Sequence, residues 1–238
     1  MREESTEDLP RVTAGLLRAA DTMCTRRLHK EHLGTRGNRR AGTRFRVANQ
    51  LLDDARLSHV DAASPTPEHF RPASDLLPEQ RAVYELAARW YVQLFSEHAV
   101  RSVEIEFETP VERLGIRLVG PAGLPVEHPS GRRELRILRL GQGPVPTEPL
   151  SAPDIRFAVL RLEQWLAGEP LRLVVADLIR GEMVEQHVVV DDVVAELDDW
   201  LGEQVERIRA RTAAPRAVAG IECGWCPFIA GCGAHTSR

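Results

Sequence analysis

Four cysteines are the residues best suited to chemistry in this chain, and they are unevenly placed. Cys223, Cys226 and Cys232 crowd the C-terminal stretch IECGWCPFIAGCGAHTSR, while Cys24 stands near the other end in DTMCTRRLHKEH. Cys223-x₂-Cys226 sets two thiolates on one tight turn, and Cys232 adds a third donor from the same short loop. Gly224, Gly231, Gly233 and Pro227 let the backbone wrap closely around a bound group. Tetrahedral zinc more often draws on two separate knuckles of Cys or His pairs. A cubane iron–sulfur cluster has separated iron corners and accepts three local cysteines with one remote. The spacing therefore favours a [4Fe–4S] cluster held by Cys24, Cys223, Cys226 and Cys232. A zinc site completed by His29 or His235 is the alternative, and unliganded redox thiols are a third reading. Trp225, inside the loop, is placed to shield such a centre from water.

Everything between the two ends must bring them together. Residues 12–33 read as one helix, with Thr13 as N-cap and Leu16, Leu17, Ala20, Cys24 and Leu28 at helical spacing. After the connection LGTRGNRRAGTR, a second helix covers FRVANQLLDDARLSHV, and the Pro-rich stretch DAASPTPEHFRPASDLLP reads as a loop. From Pro78 the pattern is strongly helical, with Val83, Leu86, Ala87, Trp90 and Leu94 on one face. In RSVEIEFET the period changes to two, with Val103, Ile105 and Phe107 facing inward and Glu104, Glu106 and Glu108 forming the wet face of an edge strand. GIRLVG and RELRILRLG are further strands. Residues 154–167 return to helix, and LRLVVADLI and EMVEQHVVV form a hairpin about Arg180-Gly181. A long acidic helix from Asp191 carries Val194, Leu197, Leu201, Val205 and Ile208 on its buried face. Trp90, Trp165 and Trp200 read as core; His69, His98, His128 and His187 read as surface or capping residues. These elements predict one α/β domain over 1–238 with a mixed sheet. It divides into a helical part (12–100), a sheet core (101–190), and a C-terminal helix with the cysteine loop (191–238).

Composition narrows the setting. Of 238 residues, 43% are apolar and 28% charged, which is ordinary for a globular protein, and no apolar run approaches the ~20 residues that cross a bilayer. The acidic start MREESTEDLP lacks the pattern of a secretory signal, so the expected location is cytoplasmic, where cysteines serve metal or redox chemistry rather than disulfides. The net charge of −4 hides a basic block of Arg26, Arg27, Lys30, Arg36, Arg39, Arg40, Arg44 and Arg46. Such density suits either a phosphate-binding face for DNA or a solvated surface offset by the acidic helix. Lys30 is the sole lysine.

The cysteine arrangement resembles that of PD-(D/E)XK nucleases of the RecB, AddB and CRISPR-adaptation type. These often carry a [4Fe–4S] cluster bound by one cysteine in the first helix and three near the C-terminus. Cys24-Thr-Arg-Arg-Leu28 stands where their N-terminal motif would, and Cys223-Gly-Trp-Cys226-Pro-Phe228-Ile-Ala-Gly-Cys232 is similar to their tail. The resemblance implies a nuclease-like mixed sheet flanked by helices, with the two chain ends joined at the cluster. It also implies a catalytic set: an early histidine, a strand glutamate, a Gly-x-x-Asp, and an acid two residues before a lysine that serves water activation beside Mg²⁺. Here Arg46 falls about where the histidine would, Glu104, Glu106 or Glu108 could supply the first carboxylate, Gly123 follows Gly120 where the aspartate is due, and Ile137 and Arg139 replace the acid and the lysine. Arginine stays protonated and is a poor general base. No P-loop, GxSxG, HExxH or GxGxxG motif offers another chemistry.

The expectation is therefore an iron–sulfur protein of nuclease-like fold that has lost catalysis, a pseudoenzyme acting as a DNA-binding or complex-scaffolding component. Two other functions stay open: a protein-interaction subunit whose cluster is purely structural, and an active Mg²⁺-dependent nuclease with a non-standard site.

Overall fold

The computed structural model describes residues 9–20, 23–33, 43–61, 63–106, 108–121, 123–141, 143–166 and 169–216, together with Cys226, Phe228 and Cys232. Among them the chain runs β1 (Arg11–Val12), α1 (Ala14–Ala19), α2 (Thr25–His32), α3 (Thr43–Leu57), α4 (Pro78–Phe95), β2 (Arg101–Ser102), β3 (Glu108–Val111), β4 (Ile116–Val119), β5 (Leu124–Glu127), β6 (Arg133–Arg139), α5 (Pro153–Leu166), β7 (Leu171–Asp177), β8 (Glu182–Val188) and α6 (Val190–Thr212). The strands form two mixed sheets. One has the order β1-β4-β3, with β1 parallel and β3 antiparallel to β4. The other has the order β2-β5-β6-β7-β8, antiparallel throughout except for β6 beside β7. That parallel pair is bridged by α5, as a parallel connection requires a crossover. The expected α/β class with mixed sheets flanked by helices is thus present.

The five-stranded sheet is covered on both faces, and strand alternation shows how. Leu171, Leu173 and Val175 of β7, with Leu135 and Ile137 of β6, face a core built with α1, α2, α5 and α6. Val174 and Ala176, with Leu124 and Val126 of β5, face a second core built with α3 and α4. Burial on both faces explains why LRLVVAD reads as a nearly continuous apolar run. The β7–β8 hairpin turns at Gly181, whose φ is +70°, and Trp90 of α4 closes over it. A Cβ at Gly181 would lie 2.6 Å from the indole. No helix among the described residues is long and apolar enough to cross a membrane.

Several sequence expectations need correcting. The helix foreseen over 12–33 is a short strand followed by two helices, α1 and α2, so Cys24 is not mid-helix but the N-cap of α2. Thr13 does cap, its hydroxyl accepting from Leu16 N at 3.1 Å. Of the strand foreseen over RSVEIEFET, Arg101–Ser102 and the segment from Glu108 are strands; Val103 N still donates to the Pro125 carbonyl at 2.9 Å, residues 103–106 are otherwise irregular, and Phe107 lies outside the described residues. The strand foreseen at GIRLVG is β4, and after Gly120 the chain passes to β5 in the other sheet. The buried stripe of α4 is Gln80, Tyr84, Ala87, Ala88, Tyr91 and Phe95, rotated from the expected face, with Val83, Trp90 and Leu94 half-buried beside it. Both tyrosines are buried because their hydroxyls find partners inside, Tyr84 on Asp54 and Tyr91 on His59.

Candidate metal centre

α2 is preceded by its N-cap Cys24, which has a non-helical backbone and makes no side-chain cap bond. The first amides of a helix need acceptors, and here the chain that leaves α6 supplies one. The Arg216 carbonyl accepts from Arg26 N at 3.3 Å, Thr25 Oγ1 at 3.1 Å and Cys24 Sγ at 3.5 Å. In return Arg216 N donates to Thr25 Oγ1 at 2.9 Å. Farther along, the Phe228 ring lies beneath Lys30 of α2, with Nζ 5.1 Å from its centroid, a cation–π contact. Arg216 and Phe228 thus both lie against the helix that Cys24 opens. At the same corner Arg211, in the last turn of α6, donates from Nη2 to the Met23 carbonyl at 3.0 Å. Its Nη1 is buried without a hydrogen-bond partner among the described residues.

Of the proposed ligands, Cys24, Cys226 and Cys232 are half-buried, and Cys223 lies outside the described residues, as do Trp225 and His235. Among the described residues no three His, Cys, Asp or Glu side chains are grouped to hold a metal ion. The donor set is of thiols, which suits an iron–sulfur or zinc centre, and a buried Arg211 nitrogen near Met23 has no acceptor among the described residues.

The basic block is only partly outward-facing. Arg27 pairs with Glu31 at 3.0 Å, Arg46 pairs with Asp75, and Lys30 covers Phe228. Arg26 is half-exposed on α2. Arg36, Arg39, Arg40 and the Arg44 side chain lie outside the described residues.

The positions that match the nuclease catalytic pattern do not converge on a carboxylate–cation set. Glu104 and Glu106 are exposed in the irregular segment, and Glu108, on edge strand β3, pairs with Arg117 at 2.7 Å. Gly123 has φ +78°, and a Cβ there would lie 2.8 Å from the Arg136 carbonyl oxygen and 2.8 Å from Ile137 Cδ1, so no aspartate fits. Ile137 is buried in the core. Arg139, in the place of the lysine, is tied to Asp154 at 3.4 Å, which Arg18 also approaches at 3.7 Å.

Sequence reasoning missed a buried polar network on the opposite face of β6. Glu134 and Arg136 alternate with the apolar Leu135 and Ile137 and point under α4, and both are fully buried. Arg136 donates to Glu134 Oε1 at 2.6 Å, to His59 Nε2 at 2.9 Å and to the Tyr91 hydroxyl at 3.0 Å, and it stacks over Phe95 at 4.0 Å. His59 Nδ1 donates to the Ala63 carbonyl at 3.0 Å, while its Nε2 accepts from Arg136 and Tyr91. Burial, and then the Arg136 charge, lower His59 to about 4, so it is neutral. For Glu134 burial opposes ionisation, but Arg136, then His128 and Arg172, overrule it and hold the carboxyl at about 2. Burial pushes the Tyr91 phenol up to about 12. His98, lowered by burial and by Arg136, sits 3.5 Å from Arg136 Nη2, and His128 Nε2 lies 3.0 Å from Glu134. These two histidines are therefore not the surface residues that their scatter suggested. His69 does cap, its Nδ1 accepting from Thr66 N, and His187 is exposed. The visible signal was Glu-x-Arg on a strand whose other residues are apolar: period two places both charges on one face.

No protein-family model matches the chain, and no curated protein matches it significantly. The likeness to the nucleases rests on this chain's own cysteines.

Proposed function

We propose that this chain is a [4Fe–4S] protein of PD-(D/E)XK-nuclease-like fold, catalytically silent, that serves as a DNA-binding or complex-scaffolding component in the cytoplasm. The observation that carries the reading is the docking of the C-terminal segment on α2, where Cys24, Thr25 and Arg26 all address the Arg216 carbonyl. These contacts hold Arg216, seven residues before Cys223, at the start of the helix that Cys24 opens, and a cluster with one remote ligand requires the two ends to approach. The loss of catalysis is supported by Gly123, which has no room for a side chain, and by Arg139, whose guanidinium stays charged and paired with Asp154.

The pairing of Arg27 and Arg46 with acids of this same chain favours a second reading, a protein-interaction subunit whose cluster is structural. Anaerobic purification tests the shared part: a brown protein with about four irons per chain is expected, and Cys24→Ser should lower the iron content. A colourless protein with one zinc would sink the cluster reading. A gel shift with a salt series separates the two functions. DNA binding that weakens steeply with salt, and weakens further in Arg26→Ala/Lys30→Ala, supports the DNA role. Absence of binding at low salt supports the subunit role. Mg²⁺-dependent cleavage that is lost on changing Glu104, Glu106 or Glu108 would overturn both in favour of an active nuclease.

A further inference from the structure

Arg161 of α5 carries a charge that the fold buries without pairing. It is 4% exposed, and its guanidinium donates to two uncharged acceptors, Thr109 Oγ1 at 3.3 Å and the Glu106 carbonyl. Among the described residues no carboxylate stands within ion-pair range of it. Burial holds the guanidinium below its ordinary value, and Glu108 and Glu106 restore only part of the loss. A buried charge is ordinarily matched by an opposite one, because desolvating a lone ion is costly.

Arg161 also lines a cavity of about 200 Å³ bounded by β3, α5 and α6. That volume falls below the ~300–1,000 Å³ of sites for drug-sized molecules, so a small ligand fits it. Four charged residues line the cavity, and two of them, Arg113 and Asp198, are paired with each other. The other two are the Arg161 cation and the Glu163 carboxylate, which is exposed on α5 and has no partner among the described residues. Val111, Leu160 and Leu201 supply an apolar wall.

We propose that this cavity binds a small zwitterion, a free α-amino acid with an aliphatic side chain. Its carboxylate lies on the Arg161 guanidinium and provides the missing counter-ion through a charge-assisted bond. Its ammonium faces Glu163, and its side chain meets Val111, Leu160 and Leu201. A dianion such as phosphate would be repelled by Glu163 and Asp198, whereas a zwitterion turns Glu163 to advantage. The site owes nothing to the cysteine end of the chain and does not rest on the metal-centre reading.

Calorimetric titration of the full chain with L-leucine tests this. Saturable uptake of one leucine per chain is expected, with a Kd below about 0.1 mM. N-acetyl-leucine lacks the ammonium and leucinamide the carboxylate, and each should bind about tenfold more weakly, the worth of one charge-assisted contact. Glycine, which leaves the apolar wall uncovered, should also bind more weakly than leucine. Because Arg161 is buried, the deciding variant is Glu163→Gln, at an exposed position. It should weaken leucine about tenfold and leave N-acetyl-leucine unchanged, a difference that general loosening of the fold would not produce. Equal loss of both ligands, or equal affinity of wild type for both, overturns the zwitterion assignment. No saturable uptake at about 1 mM leucine, or uptake of inorganic phosphate in its place, overturns the inference outright.

Discussion

Replacing Arg136 with methionine tests whether the buried network is held by charge or merely tolerated. Arg136 donates to Glu134, His59 and Tyr91 and covers the Phe95 ring, all without exposure to solvent. Methionine keeps much of the volume and a favourable contact with the ring, but it leaves Glu134 to His128 and Arg172 alone. Removing one partner of a buried ion pair costs about 3–5 kcal/mol, mainly because the other charge stays buried. Sulfur–aromatic contact returns ~1 kcal/mol, so a net loss of about 3 kcal/mol is expected. With an m-value of ~3 kcal/mol per molar urea, the unfolding midpoint should fall by about 1 M at neutral pH.

The decisive arm is the double variant Glu134→Gln/Arg136→Met. With neither charge left inside, it should be more stable than Arg136→Met, so the two substitutions couple strongly. A midpoint shift below ~0.3 M for Arg136→Met, or a double variant whose loss equals the sum of the singles, would refute the reasoning.

Acid should destabilise the protein in two stages. His59 titrates near 4 in the fold against an ordinary 6.5, so the unfolded chain gains its proton first and stability falls as pH drops from about 6.5 to 4. Glu134, at about 2 against 4.5, adds a loss as pH falls from 4.5 towards 2. Each contributes at most about 3 kcal/mol, and urea midpoints at pH 7, 5 and 3 should decline stepwise; a flat profile would contradict the network. Gly181→Ala should cost more than Gly131→Ala, because φ is +70° and +83° but only Gly181 faces the Trp90 indole. Backbone strain of about 1 kcal/mol is common to both, and equal thermal midpoints would show that the indole yields without cost. Arg46→Ala should change stability by less than ~0.5 kcal/mol, since its pair with Asp75 is solvent-exposed; a larger drop in urea midpoint would give that pair a structural weight not expected at the surface.

The elements with strong periodicity were legible in the sequence. The acidic helix, the β7–β8 hairpin about Gly181 and the helix after Pro78 all stand where their apolar spacing put them. The misreadings have physical causes. Leu16, Ala20, Cys24 and Leu28 keep a helical period across α1 and α2, so the pattern alone does not show the break before Cys24. Val103 and Ile105 alternate like a strand, but the pairing stops after Val103 N bonds the Pro125 carbonyl of β5, because alternation records which side is wet and not how far a partner strand runs alongside. On α4 the apolar count favoured the stripe of Val83 and Trp90, while tertiary hydrogen bonds drew Tyr84 and Tyr91 inward. Contacts between distant parts of the chain, such as that of Arg211 with the Met23 carbonyl 188 positions away, leave no periodic mark in the sequence.

The Arg216–Cys24 contact spans 192 positions in sequence, yet docking the tail does not have to close a loop of that length. α6 already packs on α2, and its last residue, Thr212, lies only four positions before Arg216. The fold thus presents the tail to Cys24 at a high effective concentration, and only a short tether remains to be ordered. Breaking the Arg216–Cys24 contact is correspondingly a local event that leaves the packing of α6 on α2 in place. The same tail supplied as a free peptide would lack that advantage and bind α2 far more weakly.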